Sequence, residues 1–132
     1  MTTIKVFEIT GRIAISMQKG DLIYKTLEQN FKNKEKVILD PGIGFAKNTE
    51  QNLKLMQGLG EMTGLEYPVL LAASRKATIG KVLGEIPPEE RLAGTIATSC
   101  QAVYAGANMV RVHDVKENLQ AIRMLEAIIR CQ

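Results

Sequence analysis

Four short apolar segments, each followed by a helical pattern, constrain the fold of this chain more than any other feature. The second and third contain no polar residue and end abruptly near charged ones, which is typical of strands buried on both faces of a parallel sheet. A strand followed by a helix, repeated along the chain, implies right-handed crossovers and parallel strands. We therefore predict an α/β fold of about four βα units. Its strands are predicted over 12–17, 37–39, 68–73 and 109–112.

Helical patterns separate these strands. Proline in a first turn and glycine after a last turn are the usual signals of a helix start and stop. The predicted helices cover about 22–32, a stretch opened by Thr49, a stretch from Pro88 to Gly106, and about 115–130. In the last helix the apolar residues recur at helical spacing: Val115, Leu119, Ile122, Leu125 and Ile129. After the third strand, glycines at 80 and 84 predict a mobile loop.

Composition and length narrow the class of protein further. The 132 residues carry 17 Lys and Arg against 14 Asp and Glu, a net charge of +3. The sequence has no basic run, aromatic ladder or tryptophan that would indicate nucleic-acid binding. No apolar run is long enough to span a membrane. The N-terminus has no secretory signal pattern. We expect one domain over 1–132, too short for a complete eight-stranded βα barrel, which needs about 200 residues.

The two cysteines give no sign of a metal site or a disulfide. Cys100 and Cys131 are far apart, each within a helical pattern, and no second cysteine or histidine stands at metal-ligand spacing. We expect two free thiols that are buried or half-buried.

Charged and polar residues stand where the predicted strands end. Asp40 follows the second strand, Ser74 and Lys76 follow the third, and Arg111 and His113 end the fourth. In parallel α/β folds, ligands bind beyond the carboxyl ends of the strands. A carboxylate, an ammonium, a guanidinium and an imidazole are therefore predicted to converge on one rim.

Each of these residues also has a purely structural interpretation. Asp40 precedes Pro-Gly, so it either caps a turn or offers a carboxylate to two N–H donors of a flat heterocycle. Lys76 lies in a segment that could equally be a solvated basic loop. Arg111 and His113 point to the same side of a strand before a helix, which suits phosphate or pyrophosphate. Alternatively, Arg111 pairs with Asp114 or another rim carboxylate, and His113 is a capping partner. We expect Asp114 to be the N-cap of the last helix.

Four motifs together resemble the dihydropteroate synthase family over about three-quarters of the chain. They are Ile38-Leu-Asp-Pro-Gly-Ile-Gly-Phe-Ala-Lys47, Ala73-Ser-Arg-Lys76 with Ile79-Gly80, Glu90-Arg-Leu-Ala-Gly-Thr95, and Gly106-Ala-Asn-Met-Val-Arg-Val-His-Asp-Val115. The resemblance implies the C-terminal portion of a TIM-type (β/α)₈ barrel. It also implies a cytoplasmic enzyme of folate synthesis that is the target of sulfonamides.

The family's reaction joins p-aminobenzoate to 6-hydroxymethyl-7,8-dihydropterin pyrophosphate and releases pyrophosphate. By resemblance, Asp40 holds the pterin, together with Lys76 and with Arg75, whose stem covers the pterin face. Phe45, Ser74 and Lys76 are expected to line the p-aminobenzoate site.

The resemblance further implies that Arg111 and His113 bind the leaving pyrophosphate and, with Lys76, form the catalytic set. Mg²⁺ is the expected cofactor, but the family's metal-binding asparagine belongs to a part of the barrel that this sequence lacks. The sequence departs from the family in carrying Ala46 and Ala72-Ala73 where glycine is usual.

Two other functions remain compatible with the sequence. One is a non-catalytic pterin-binding or interaction module, and the other is a pterin-dependent methyltransferase domain, since the shorter Asp-Pro-Gly-Ile-Gly motif is similar to that family too. Arg111 and His113 argue against the methyltransferase, because methyl transfer needs no pyrophosphate site. Four strands cannot close a barrel, so we expect a homodimer or a partner half-barrel and poor turnover by the isolated chain.

Overall fold

The computed structural model describes residues 38–131. The predicted strand at 12–17, the helix at 22–32 and the unplaced residues 1–11 lie outside them. The elements, in chain order, are α1 (Thr49–Gln57), α2 (Leu59–Thr63), β1 (Leu70–Leu71), α3 (Ala77–Val82), a 3₁₀ turn (Pro88–Glu90), α4 (Leu92–Tyr104), β2 (Met109–Val110) and α5 (Val115–Arg130).

Three of the predicted strands meet in parallel. β1 pairs with β2 in the register Leu70 to Met109. On the other edge of β1, Leu39 forms a parallel bridge to Val69, and its carbonyl accepts from the Leu70 N–H at 2.8 Å. The backbone order is therefore the chain order, with β1 in the middle. This confirms an α/β arrangement with parallel strands, although the ladders are shorter than predicted.

The two faces of this sheet bury different sets of side chains. Because side chains alternate along a strand, neighbours in β1 belong to separate clusters. Val69 and Leu71 pack with the helices, together with Leu39 and Val110. Leu70 packs on the opposite face, in a second cluster that includes Ala72, Met109 and the half-buried Ile38.

The segment after β1 is a helix, so the prediction of a mobile loop there is wrong for 77–82. In α3, Thr78, Ile79 and Gly80 are all buried. A Cβ added at Gly80 would lie 2.5 Å from Nη2 of Arg91. The glycine at 80 is there because an arginine packs against the helix backbone, and close packing rather than mobility explains it.

The last helix has the predicted bounds, and its apolar residues differ in burial. Ile122 is fully buried, whereas Val115 is 47% exposed and Ile129 is 50% exposed. Cys131, directly after the helix, is an exposed free thiol, and Cys100 is a half-buried one. The expectation of free thiols is confirmed, and the expected burial of Cys131 is wrong. Among residues 38–131, no helix is long and apolar enough to cross a membrane.

Gly94 in α4 tests the packing of α3 against α4. A Cβ there would lie 2.4 Å from Cγ2 of Ile79, so we expect Gly94→Ala to lower the free energy of unfolding by about 1–3 kcal/mol. The matched control is Gly60→Ala in α2, where a Cβ meets nothing within 4 Å. That change is expected to be neutral or to stabilise by about 0.4–1 kcal/mol. Urea denaturation followed by circular dichroism measures both, and equal stability of the two variants would contradict this packing.

Candidate ligand-binding site

The predicted rim residues lie at the carboxyl ends of three adjacent parallel strands. Arg111 stands between Val110 and Val112, which both pack with the helices, so its side chain belongs to the opposite face of the sheet. Its N–H donates to the Leu71 carbonyl at 3.0 Å, which continues the ladder beyond β2. The structure therefore brings together the strand ends that carry Asp40, Ser74 and Arg111.

Asp40 caps the turn that follows its strand. Its Oδ1 accepts from the Gly42 N–H at 2.8 Å, and Gly42 has a φ of 71°, which favours glycine. The expected turn cap is thus present, and the ligand-binding role of Asp40 stays a prediction. Its other oxygen, Oδ2, receives no hydrogen bond from residues 38–131 and remains available to a ligand.

Asn52 ties the loop after this turn to α3. It is 2% exposed; its Oδ1 accepts from the Gly44 N–H at 3.0 Å, and its Nδ2 donates to Thr78 Oγ1 at 2.8 Å. Thr78 lies two residues after Lys76. One buried amide therefore holds the loops from two strand ends at a fixed separation.

Lys76 follows β1, and its side chain extends to the loop that follows Asp40. Its Nζ donates to the Ile43 carbonyl and lies 4.9 Å from the centroid of the Phe45 ring, whose side chain is 66% exposed. Burial lowers the pKa of Lys76 below its usual range; Asp40 opposes this shift, whereas Arg111 adds to it. These influences place the charges of Asp40, Lys76 and Arg111 within one electrostatic cluster.

Arg75 is held in a left-handed conformation, with a φ of 58°. Its N–H donates to Thr95 Oγ1 at 3.0 Å, and its carbonyl accepts from Nη1 of Arg91 at 2.8 Å. Its guanidinium pairs with the Asp114 carboxylate at 3.0 Å. Residues at the start of α4 and just before α5 thus hold both the backbone and the side chain of Arg75. The expected contact of Arg75 with a pterin stays a prediction.

The Asp114 ion pair corrects one alternative from the sequence. Asp114 is the N-cap residue of α5, as predicted, but its side chain makes no capping bond and binds Arg75 instead. Among residues 38–131, Arg111 has no ion pair. Arg111 is exposed, and its guanidinium is therefore not neutralised by Asp114.

Ser74 and His113 meet between the ends of β1 and β2. Ser74 Oγ lies 2.8 Å from His113 Nδ1, and the His113 N–H donates to the same oxygen at 3.1 Å. No hydrogen bond joins Nε2 of His113 to any of residues 38–131. The exposed edge of the ring therefore faces outward with one free nitrogen.

A cavity of about 260 Å³ opens beside Lys76. It lies between the loop after Asp40 and the start of α3, and one aromatic ring and several ammonium groups line it. Its residues include Gly44, Phe45, Lys47, Asn52, Lys76 and Lys81. Cations beside an aromatic ring suit a flat, anionic aromatic ligand.

The residues 38–131 offer no group of three or more His, Cys, Asp and Glu side chains that could hold a metal ion. Asp40, at the end of its strand, is not part of such a group. The part of the chain that the structure describes therefore does not fit a divalent cation held by protein ligands alone.

Two residues that support the site, Asn52 and Thr95, are not among the predicted site residues. Asn52 carries a detectable signal, because it occupies a position at helical spacing with Leu55, Met56 and Leu59, where an apolar residue is expected. A polar residue on an apolar helix face needs a buried partner. Thr95 carries no such signal, since threonine is common in helices that pack closely.

Known proteins share both the sequence and the fold. The family model described as "Pterin binding enzyme" matches residues 21–113. The dihydropteroate synthase of Synechocystis sp. is 49% identical over 96 residues, which are 73% of this chain and 33% of that protein. The Bacillus subtilis enzyme of the same name is 50% identical over 97 residues, 74% of this chain and 34% of that protein. The chain thus spans about a third of the length of these curated relatives.

Solved structures agree. Dihydropteroate synthase from Clostridium difficile, in the presence of pteroic acid, superposes with a TM-score of 0.78 and 44% identity, covering 92% of this chain and 48% of that one. The Xanthomonas albilineans enzyme in complex with 7,8-dihydropteroate gives a TM-score of 0.79 at 32% identity, covering 87% and 46%.

The electrostatic cluster can be tested without a ligand. Asp40→Asn removes a negative charge that raises the pKa of Lys76, so the pKa is expected to fall further. Arg111→Met removes a repelling cation and is expected to raise it. NMR titration of the Lys76 ε-carbon, assigned with Lys76→Arg, measures both shifts. Arg123→Met on exposed α5 surface is the control and is expected to change nothing; shifts of the same sign in the first two variants would contradict the cluster.

Proposed function

Because the chain belongs to the pterin-binding enzyme family, we propose that it forms the pterin- and p-aminobenzoate-binding part of a dihydropteroate synthase. The reaction joins the amine of p-aminobenzoate to the methylene carbon of 6-hydroxymethyl-7,8-dihydropterin pyrophosphate and expels pyrophosphate. The observation that carries this proposal is that three adjacent parallel strands end at Asp40, Ser74 and Arg111, and that Lys76 lines a cavity beside Phe45. The ligands named with the similar structures, pteroic acid and 7,8-dihydropteroate, support it.

We also propose that the described residues form the C-terminal portion of a (β/α)₈ barrel. Three parallel strands in chain order, separated by helices, support this arrangement. In such a barrel, Leu70, Ala72 and Met109 face the interior, and the main helix-packed core lies outside. The fourth unit is assigned to residues outside those described.

The pterin is assigned to Asp40. Its turn bond to Gly42 uses one lone pair of Oδ1 and leaves Oδ2 free, so the carboxylate can still accept two parallel N–H donors. Lys76 is assigned to both ligands, since its ammonium lies 4.9 Å from the centroid of the Phe45 ring and donates to the Ile43 carbonyl in the loop that follows Asp40. Phe45 supplies the apolar wall for the aromatic ring of p-aminobenzoate.

The pyrophosphate is assigned to Arg111 and His113. Both are exposed just after β2, and residues 38–131 provide no carboxylate partner for Arg111. As the bond to the methylene carbon breaks, negative charge grows on the pyrophosphate, and fixed donors that face this charge lower the barrier. Arg111 would bind two oxygens with its planar fork, and His113 would donate from Nε2.

The Mg²⁺ expected from the resemblance remains a proposal that the described residues do not support by themselves. They hold no group of ligands for a divalent cation. We therefore assign no step to Mg²⁺, and any protein ligand for it would come from outside residues 38–131. The cytoplasmic location likewise stays a prediction from the resemblance.

A non-catalytic pterin-binding module is the second candidate. Both candidates bind the pterin through Asp40, and they differ only in turnover. A methyltransferase domain is disfavoured by the exposed pair Arg111 and His113, since methyl transfer does not need a pyrophosphate site.

Self-association is proposed on the basis of exposed apolar surface. On α5, Met124 is 63% exposed and Ile128 is 62% exposed, one helical turn apart. Apolar groups that recur at this spacing on an exposed helix face often mark an interface. A homodimer or a partner half-barrel would cover them.

Asp40→Asn tests the pterin anchor. The amide still accepts from the Gly42 N–H, but it replaces one carboxylate oxygen by a donor that opposes the pterin N–H groups. We expect pteroic acid to bind more weakly by about 1.5–3 kcal/mol in isothermal calorimetry. Glu61→Gln, on exposed surface of α2, is the matched control. Unchanged affinity of the Asp40 variant would remove Asp40 from the site.

Arg111→Lys tests the pyrophosphate end. The substitution keeps the charge but loses the planar fork, so affinity for the pterin pyrophosphate is expected to fall by roughly 3- to 10-fold. Affinity for the bare pterin is expected to stay within about twofold. Arg123→Lys on α5 serves as the control. An equal loss for both pterins would show that Arg111 supports the site only structurally.

An activity assay separates the two candidate functions. The chain is incubated with p-aminobenzoate, the pterin pyrophosphate and Mg²⁺, and its association state is measured by sedimentation in the same buffer. In the separate calorimetric titration we expect pteroic acid to bind. In the activity assay we expect turnover to be slower than that of a full-length relative by about 10²-fold or more. Robust turnover by a sedimentation-proven monomer would contradict both the proposed loss of activity and the proposed self-association.

A further inference from the structure

His113 is the single histidine of the chain, and its ring is held by a residue from another strand end. Ser74 follows β1, 39 positions earlier, yet its Oγ lies 2.8 Å from His113 Nδ1. The same oxygen accepts the His113 backbone N–H at 3.1 Å. The backbone and the ring of His113 are therefore both hydrogen-bonded to one hydroxyl.

The donor and acceptor count at Ser74 determines which histidine nitrogen is free. A serine hydroxyl has one proton and two lone pairs. One lone pair is used by the His113 N–H. In a neutral imidazole that accepts at Nδ1, the Ser74 proton points to Nδ1 and the ring proton resides on Nε2. The ring then presents an Nε2–H donor to the outside.

A hydroxyl can keep its hydrogen bond to Nδ1 when the ring gains a proton. In the imidazolium form, Nδ1 carries a proton and donates to the second lone pair of Ser74 Oγ, while the hydroxyl proton rotates away. A carbonyl at the same place could accept only from a protonated Nδ1. Serine is therefore suited to hold the ring in one orientation through both protonation states.

The position of Ser74 is itself fixed by the turn that it begins. The Lys76 N–H donates to the Ala73 carbonyl at 3.2 Å, and Arg75 between them is clamped by Thr95, Arg91 and Asp114. The hydroxyl therefore does not depend on a ligand for its placement. This distinguishes Ser74 from an exposed serine that happens to contact a histidine.

We propose that Ser74 is a positioning residue for the anion site, which aims the Nε2–H of His113 at the phosphate groups of the ligand. The inference rests on the proposed function for the identity of that anion, and it differs from the expected role of Ser74 as a p-aminobenzoate contact. While the ring is neutral, the Ser74 proton is used by Nδ1, and Ser74 then has no donor left for the carboxylate of p-aminobenzoate.

The lone histidine makes the test direct. The full chain is labelled with ¹⁵N, and the two ring nitrogens are observed by NMR at a pH where imidazole is neutral. In the wild type, we expect a pyridine-type Nδ1 that accepts a hydrogen bond and a proton on Nε2. In Ser74→Ala, the Nδ1 resonance is expected to move to the position of an unbonded nitrogen, with exchange between the two tautomers. Ser74→Thr keeps the hydroxyl and is expected to restore the wild-type resonances.

Inorganic pyrophosphate is the probe for the functional arm. We expect Ser74→Ala to weaken its binding by about 3- to 10-fold, the effect of one lost hydrogen bond, and Ser74→Thr to recover most of it. The matched control is Ser99→Ala, which removes a buried hydroxyl that donates to Asn118 Oδ1 at 2.8 Å between α4 and α5. This control is expected to lower stability without moving the ring resonances or the pyrophosphate affinity.

The two readouts separate failure of this inference from failure of the proposed function. Ring resonances that are identical in the wild type and Ser74→Ala would overturn the inference, whatever happens to binding. Changed resonances with unchanged pyrophosphate affinity would overturn it too, since the orientation of the ring would then have no effect on anion binding. If the wild type binds no pyrophosphate at all, the proposed anion site fails with it, while the resonances still decide whether Ser74 holds the ring.

Discussion

The left-handed backbone of Arg75 is the constraint on which the arrangement of the rim depends. A non-glycine residue with a φ of 58° is uncommon and persists only when its surroundings over-determine it. Here Thr95 binds the amide, Arg91 binds the carbonyl and Asp114 binds the guanidinium. Because these partners come from α4, its N-cap and the N-cap of α5, the turn is locked only once both later helices have docked.

The consequence of this turn is that its two flanking residues serve opposite sides of the site. Ser74 is directed to His113 at the end of β2, whereas Lys76 is directed to the loop that contains Ile43 and Phe45. Lys76 carries a cost, because burial disfavours its charged form and Arg111 adds to the repulsion. An anionic ligand would relieve that cost. A bound anion would therefore favour the charged form of Lys76.

Much of the architecture could be predicted because the signals are local. The bounds of α5, the start of α1 and the three described strand ends follow from apolar periodicity and from the points where burial stops. Two departures from the local signals share a physical cause. The glycine at 80 indicates mobility in the sequence, but it makes room for Arg91. Val115 and Ile129 have helical spacing, and that spacing alone does not show that each is about half exposed. Spacing determines which face a residue shares, and only packing determines whether that face is covered.

The sequence by itself determined which chemical groups would meet, since charges that begin where parallel strands end must share one edge of the sheet. It could not decide how those groups pair. Tertiary structure assigned Asp114 to Arg75 rather than to Arg111, joined Ser74 to His113, and placed Asn52 between Gly44 and Thr78. The reason is that hydrogen bonds act over about 3 Å, and partners many residues apart come within that reach only after the crossovers have been packed.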